Sequence, residues 1–131
     1  MADAKSRREA LQAAYRATVA YERTLLTRLL EGLQSVPGVK IYGITDPKRF
    51  GERCATISLR IGDYHPTAIA KFLGDRGIFT WDGNFYAMNL SERLGVEQKG
   101  GVLRIGLVHY NTADEVDRLL SALHEFIQKR K

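Results

Sequence analysis

GVLRIGLVHYNT, residues Gly101 to Thr112, is the longest nearly uninterrupted apolar run of this chain. Gly100 and Gly101 open it, and Thr112 with Glu115 three residues on reads as a helix start after it. A strand alternates its faces with period two. Leu103, Ile105 and Leu107 therefore share one side, and Val102, Arg104, Gly106 and Val108 share the other. The first row is a core face. The second holds a guanidinium with a side-chain-free gap two residues away. Two uses suit that pair: Arg104 holds an anion against open backbone, or it pairs with an Asp or Glu on the solvent side of a half-covered sheet.

Downstream, Thr112 caps a last helix whose stripe is Val116, Leu119, Leu120, Leu123, Phe126 and Ile127. Its basic tail, Lys129, Arg130 and Lys131, complements the helix dipole. Upstream lies Thr80 to Leu90, TWDGNFYAMNL, too aromatic for an ordinary surface turn. Trp81, Phe85 and Tyr86 flank Asp82, Gly83 and Asn84, so the loop either folds back on its own core or presents aromatics to a ligand or partner. Before it, Pro66 opens a short helix with Ile69, Phe72 and Leu73 on its buried face. Gly77 ends that helix, and Ile78–Phe79 starts a brief third strand.

Ala55 to Ile61, ATISLRI, alternates apolar odd with polar even positions, a strand covered on one face. Asp46–Pro47 to Arg53 reads as a polar loop, and Val39 to Ile44 as a strand after the Pro37–Gly38 turn. The chain begins with a capping box, Ser6 and Glu9, and a helix running to Gln34 with Leu11, Tyr15, Val19, Leu26, Leu30 and Leu33 on one stripe. Leu25 and Leu29 widen that stripe. Such a helix of about 29 residues is ~43 Å long, against a body of this chain length near ~36 Å across. Its amphipathic end overhangs, and the expected cover is another domain or a second copy paired two-fold.

The 131 residues fit one domain, 1–131, with 1–35 the long helix and 36–131 the body. The fold class expected is α+β: a two-layer sandwich with a small antiparallel or mixed sheet of three or four strands covered on one face by helices. At 44% apolar and 27% charged residues, with no membrane-span run and no signal-peptide core, a cytoplasmic setting is the default. The net charge of +5 is scattered over the termini and Lys48, Arg49 and Arg53, which argues against a nucleic-acid arm. Cys54 is the one cysteine, at the start of a strand, with no His, Asp or second Cys near it in sequence. His65, His109 and His124 have no ligand spacing, and no G-x-G-x-x-G phosphate cradle is present.

PGVKIYG, ISLRI, the DRGIF helix end and the strand arginine followed by YNT and an acidic amphipathic helix carry a family resemblance. From Tyr21 onward the chain resembles the C-terminal small domain of class V aminotransferases, pyridoxal-phosphate enzymes of fold type I, and among them the cysteine desulfurase-like proteins. The resemblance implies that Arg104 binds the α-carboxylate of an amino-acid substrate, a task suited to a bidentate guanidinium. It also implies that the loop with Asn84 and Tyr86 approaches the active site. Tyr86 falls where true desulfurases place a nucleophilic cysteine, and a phenol cannot become a persulfide. The Schiff-base lysine, the aspartate at the pyridine nitrogen and the phosphate loop belong to the family's large domain. None of Lys5, Lys40, Lys48, Lys71, Lys99, Lys129 and Lys131 matches their setting. The expectation is a separated small domain, with no cofactor in this chain, pyridoxal 5'-phosphate in the full-length parent, and no activity alone. The other expectation is a free-standing binding module that reuses the fold, with the overhanging helix and aromatic loop as its contact surfaces.

Overall fold

The computed structural model describes residues 6–129. Lys5, Arg130 and Lys131, part of the basic termini, lie outside the described residues. Helix α1 spans Arg7–Gln34, with the Ser6 hydroxyl accepting from the Glu9 amide at 3.2 Å. Strands β1 (Val39–Tyr42) and β2 (Thr56–Ile61) follow, then α2 (Pro66–Gly74), β3 (Trp81–Gly83), α3 (Met88–Arg93), β4 (Val102–Gly106) and α4 (Ala113–Gln128). The sheet is antiparallel throughout, in the order β1-β2-β4-β3. This is the expected α+β architecture, with four strands and a long leading helix.

The opening stretch makes β4 an interior strand. Ile57 faces Ile105 and Leu59 faces Leu103 across the β2–β4 ladder, so both strands turn the same apolar row inward. Against that row pack Leu25, Leu26, Leu29, Leu30 and Leu33 of α1, Ile69 and Leu73 of α2, and Val116, Leu119, Leu123 and Phe126 of α4. Each such side chain contributes about 1.5–3 kcal/mol by leaving water. Edge-on contacts of Phe126 with Tyr64 and Phe72, at 5.0 and 5.2 Å, close the middle of the core. Outside it, Arg28 grips Asp117 bidentately at 2.6 Å, joining α1 to α4. The stripe of α1 continues past this body: Leu11, Tyr15 and Val19 are 49%, 70% and 50% exposed.

Five local features differ from the sequence reading. The third strand is Trp81–Gly83, not Ile78–Phe79. The Ile78 amide returns to the Leu73 carbonyl at 3.0 Å, which engages that segment in closing the end of α2, where Gly77 takes φ +69°. The 46–53 loop is a 3-10 turn, Pro47–Glu52, because Phe50 is buried within it. Strand β1 stops at Tyr42 instead of Ile44, and α3 appears where only loop was expected. Finally, Arg60 on the polar side of β2 is buried. Its guanidinium donates to the carbonyls of Lys99 (3.0 Å), Gly101 (2.6 Å) and Tyr64 (3.2 Å).

The approach to β4 is tight at Gly101, where φ is +77° and an added Cβ would stand 2.2 Å from the Gly83 carbonyl oxygen. Gly95 has φ +68° but open space around it. Gly101→Ala is therefore expected to cost roughly 2–4 kcal/mol and Gly95→Ala only about 1–2 kcal/mol, read from urea midpoints. Equal losses would remove the backbone clash as the reason for a glycine at 101.

Glu125 accepts from Arg76 at 3.1 and 2.8 Å and from Lys129 at 2.6 Å. Arg76 first, then Lys129, holds its carboxyl at about 2 instead of 4.5. A carboxyl depressed in the folded state stabilises above its unfolded value, and the contribution disappears as pH falls through the folded one. Stability is expected to decline between pH 4.5 and about 2 less steeply in Glu125→Gln than in the wild type. Superimposable pH profiles would contradict the pairing.

Candidate functional site

Pairing places the polar side of the sheet in rows. Tyr42 stands opposite Ser58, Ser58 opposite Arg104, and Arg104 opposite Trp81. One row thus carries a phenol, a hydroxyl, a guanidinium and an indole across all four strands. The next row holds Thr56 and Gly106. A Cβ on Gly106 would meet nothing nearer than the Thr56 hydroxyl at 4.0 Å, so the surface beside Arg104 is open. The far end of the same face is closed, where the 3-10 turn Glu97–Lys99 and the backbone after it cover Arg60.

Arg104 and Arg60 share a face and differ in everything else. Arg60 is 6% exposed and donates to three backbone carbonyls. Arg104 is exposed, and no carboxylate among the described residues lies within ion-pair distance of it. Its Cζ sits 4.3 Å from the centroid of the Phe85 ring. A guanidinium held over a ring keeps N–H donors free for a two-point grip on a carboxylate.

The aromatic loop is built differently from a binding surface in two of its residues. The Asn84 side chain is internal scaffolding: Oδ1 accepts from the Tyr86 amide at 3.1 Å, and Nδ2 donates to Glu97 Oε1 at 3.0 Å. Tyr86 projects fully into solvent with φ +62°, and Phe85 has φ +55°. The structure thus brings Phe85 and Trp81 beside Arg104, turns Asn84 toward Glu97, and leaves Tyr86 free. Phe85 was legible as one of the loop aromatics, but its contact with Arg104 was not, because nothing in its spacing announces a left-handed residue. Arg60 was missed because alternation alone cannot say which part of a polar face another segment will cover.

Cys54 is exposed beyond the first residue of β2, outside the row of Arg104. Arg53 beside it is engaged with the carbonyls of Ile44, Thr56 and Cys54, and burial lowers its pKa. His65 caps α2 through the Thr67 amide, His109 lies 3.7 Å from Glu22, and His124 is 3.4 Å from the Ser35 hydroxyl. Among the described residues no three metal-ligating side chains converge. No described helix is long and apolar enough to cross a membrane.

The YNT block has its own structural explanation. Asn111 Oδ1 accepts from the Val108 amide at 3.0 Å, and Thr112 and Glu115 form a reciprocal capping box. Tyr21 of α1 donates to the Asn111 carbonyl at 2.8 Å. Strand, turn and helix start are thereby fixed as one unit, with Arg104 at its head.

The model of the family Aminotransferase class-V matches residues 9–119. The chain belongs to that family. A cysteine desulfurase of Cronobacter sakazakii is 41% identical over 103 residues, which are 79% of this chain and 23% of that protein. One of Serratia proteamaculans is 38% identical over 109 residues, 83% of this chain and 24% of that protein. The apo structure of a cysteine desulfurase from Thermococcus onnurineus superposes with a TM-score of 0.75 at 26% identity, covering 86% of this chain and 26% of that one. The chain spans about a quarter of the length of these relatives.

A class V aminotransferase body with a strand arginine gives a stability test of that arginine. Arg60→Met strands buried carbonyls and is expected to cost roughly 2–4 kcal/mol. Arg104→Ala removes an exposed side chain and one stacking contact, and is expected to stay within about 1 kcal/mol. A large thermal destabilisation by Arg104→Ala would make Arg104 a structural residue.

Proposed function

We propose that this chain is the small domain of a pyridoxal-phosphate enzyme of the class V aminotransferase, cysteine desulfurase-like type, and that Arg104 binds the α-carboxylate of its amino-acid substrate. The observation that carries the reading is the exposed guanidinium of Arg104, without a carboxylate partner among the described residues and beside the open backbone of Gly106. Ser58 and Trp81 flank it across the sheet and bound the space a substrate would occupy.

The cofactor is assigned to another part of the parent. A covalently held aldehyde needs a lysine in an enclosed site, and Lys40, Lys48, Lys71, Lys99 and Lys129 are all exposed. The lysines among the described residues do not fit that group, and no step through it is assigned to them. What this chain supplies is orientation. Fixing the carboxylate on a strand anchored in the core sets the angle at which the Cα–H and side chain of the substrate face the chemistry. Tyr86, standing where the resemblance places a nucleophilic cysteine, argues for chemistry other than sulfur transfer. Leu11, Tyr15 and Val19 are the surface for the large domain or for a second copy in a dimer, and the setting is the cytoplasm.

Two measurements test this. Pyridoxal phosphate mixed with the chain alone is expected to give no stoichiometric visible-absorbing lysine adduct; one mapping to a single lysine would overturn the domain assignment. In the holoenzyme, Arg104→Ala is expected to lower kcat/KM for the amino acid by about 30-fold or more, with cofactor absorbance unchanged. An unchanged kcat/KM would end the role assigned to Arg104.

A further inference from the structure

Phe85 and Tyr86 are the non-glycine residues with positive φ among the described residues, at 55° and 62°. A left-handed conformation crowds Cβ against the following carbonyl, so two in succession persist only where the surroundings hold them. Here the hold is visible. The Asn84 carboxamide uses both ends, Oδ1 on the Tyr86 amide and Nδ2 on Glu97, while the Ala87 amide closes the turn on the Asn84 carbonyl at 2.9 Å. Glu97 itself lies in the 3-10 turn that covers Arg60, so the latch is tied to the closed end of the sheet face. The product of this turn is one contact: the half-buried Phe85 ring under the Arg104 guanidinium.

An arginine on an open sheet face has a long, mobile stem and loses that freedom when it grips a ligand. A ring 4.3 Å from its Cζ removes part of that freedom in advance and leaves N–H donors for a ligand. We propose that Phe85 is a positioning residue that presents the in-plane donors of Arg104 to a carboxylate, and that the Asn84–Glu97 hydrogen bond is the latch that holds Phe85 in place. The proposal rests on the reading of Arg104 as a carboxylate-binding residue and adds its means of orientation. Glu97 thereby acts on the site through Asn84 and Phe85.

The test uses the 15N-labelled chain with sodium acetate as the carboxylate probe. The Arg104 Nε–H signal, assigned by its loss in Arg104→Lys, is expected upfield of the arginine signals that lie over no ring, a shielding it shares with Arg76, whose Cζ is 3.5 Å from the Phe72 centroid. Phe85→Leu is expected to return it to the common position, and Phe85→Tyr to keep it shielded. Glu97→Ala is expected to act like Phe85→Leu, whereas Glu97→Gln, which keeps the accepting oxygen, retains the shift. Backbone amide spectra identify any variant that has lost the fold. Acetate is expected to move the Arg104 signal at about 2- to 10-fold lower concentration in the wild type than in Phe85→Leu. An unshielded signal, or one indifferent to Phe85→Leu, overturns the positioning role while leaving the carboxylate reading intact if acetate still shifts Arg104 before Arg16. A shielded signal that acetate moves no sooner than Arg16 overturns the carboxylate reading, and with it the function assigned to the stack.

Discussion

Pairing of Ile57 with Ile105 and of Leu59 with Leu103 decides on which side of the sheet every neighbouring residue falls. Because side chains alternate strictly along a strand, a slip of one residue would carry Arg104 into the core and Leu103 and Ile105 out to water. Three helices packed on the apolar row make that slip prohibitive. The position of Arg104 is thus set by its apolar neighbours, which buried area can enforce, and not by a partner of its own. Tyr42, Ser58 and Trp81 join its row through the same register.

What happens to a guanidinium on that face depends on what lies over it. At the end covered by the Glu97–Lys99 turn, Arg60 meets three carbonyl oxygens, and a buried cation without an ion pair is tolerated because each contact is charge-assisted. Gly101 lets that covering backbone pass against the Gly83 carbonyl, at a φ other residues avoid. A few residues along β4 the cover ends, and Arg104 is exposed over the Phe85 ring. One sheet face therefore holds a closed, structural half and an open half with donors to spare.

Much of this could be read from residues alone. The alternation of GVLRIGLVHYNT and ATISLRI gave both interior strands, the Thr112–Glu115 spacing gave a capping box that is present, and the leucines of α1 gave its buried end. Those signals are periodic or chemically local, so sequence spacing carries them. Trp81–Gly83 was not legible as the third strand because edge pairing is decided by where β4 lies, a long-range fact. Phe50 in the 46–53 turn reads as one apolar residue in a polar run until α1 is seen above it. The exposed position of Arg104 on the open sheet face was legible from the strand alternation and the gap at Gly106. The stack with Phe85 was not, since it depends on two left-handed residues that no composition rule places there.

An exposed arginine is a weak ligand for a carboxylate. In water the attraction of such a pair is largely screened, and surface ion pairs contribute about 0–1 kcal/mol. The same pair gains several-fold in strength when water is excluded, provided both groups keep their hydrogen bonds. Arg104 lacks that exclusion: beside it are an open Gly106 and an exposed Trp81, with Tyr86 reaching outward from the next turn. The exposed half of α1, with Leu11, Tyr15 and Val19, marks a second surface that this body leaves uncovered. Relatives about four times as long have the mass to cover both. Under the reading proposed for Arg104, closing the open face from outside this chain would turn a weak surface contact into a selective grip.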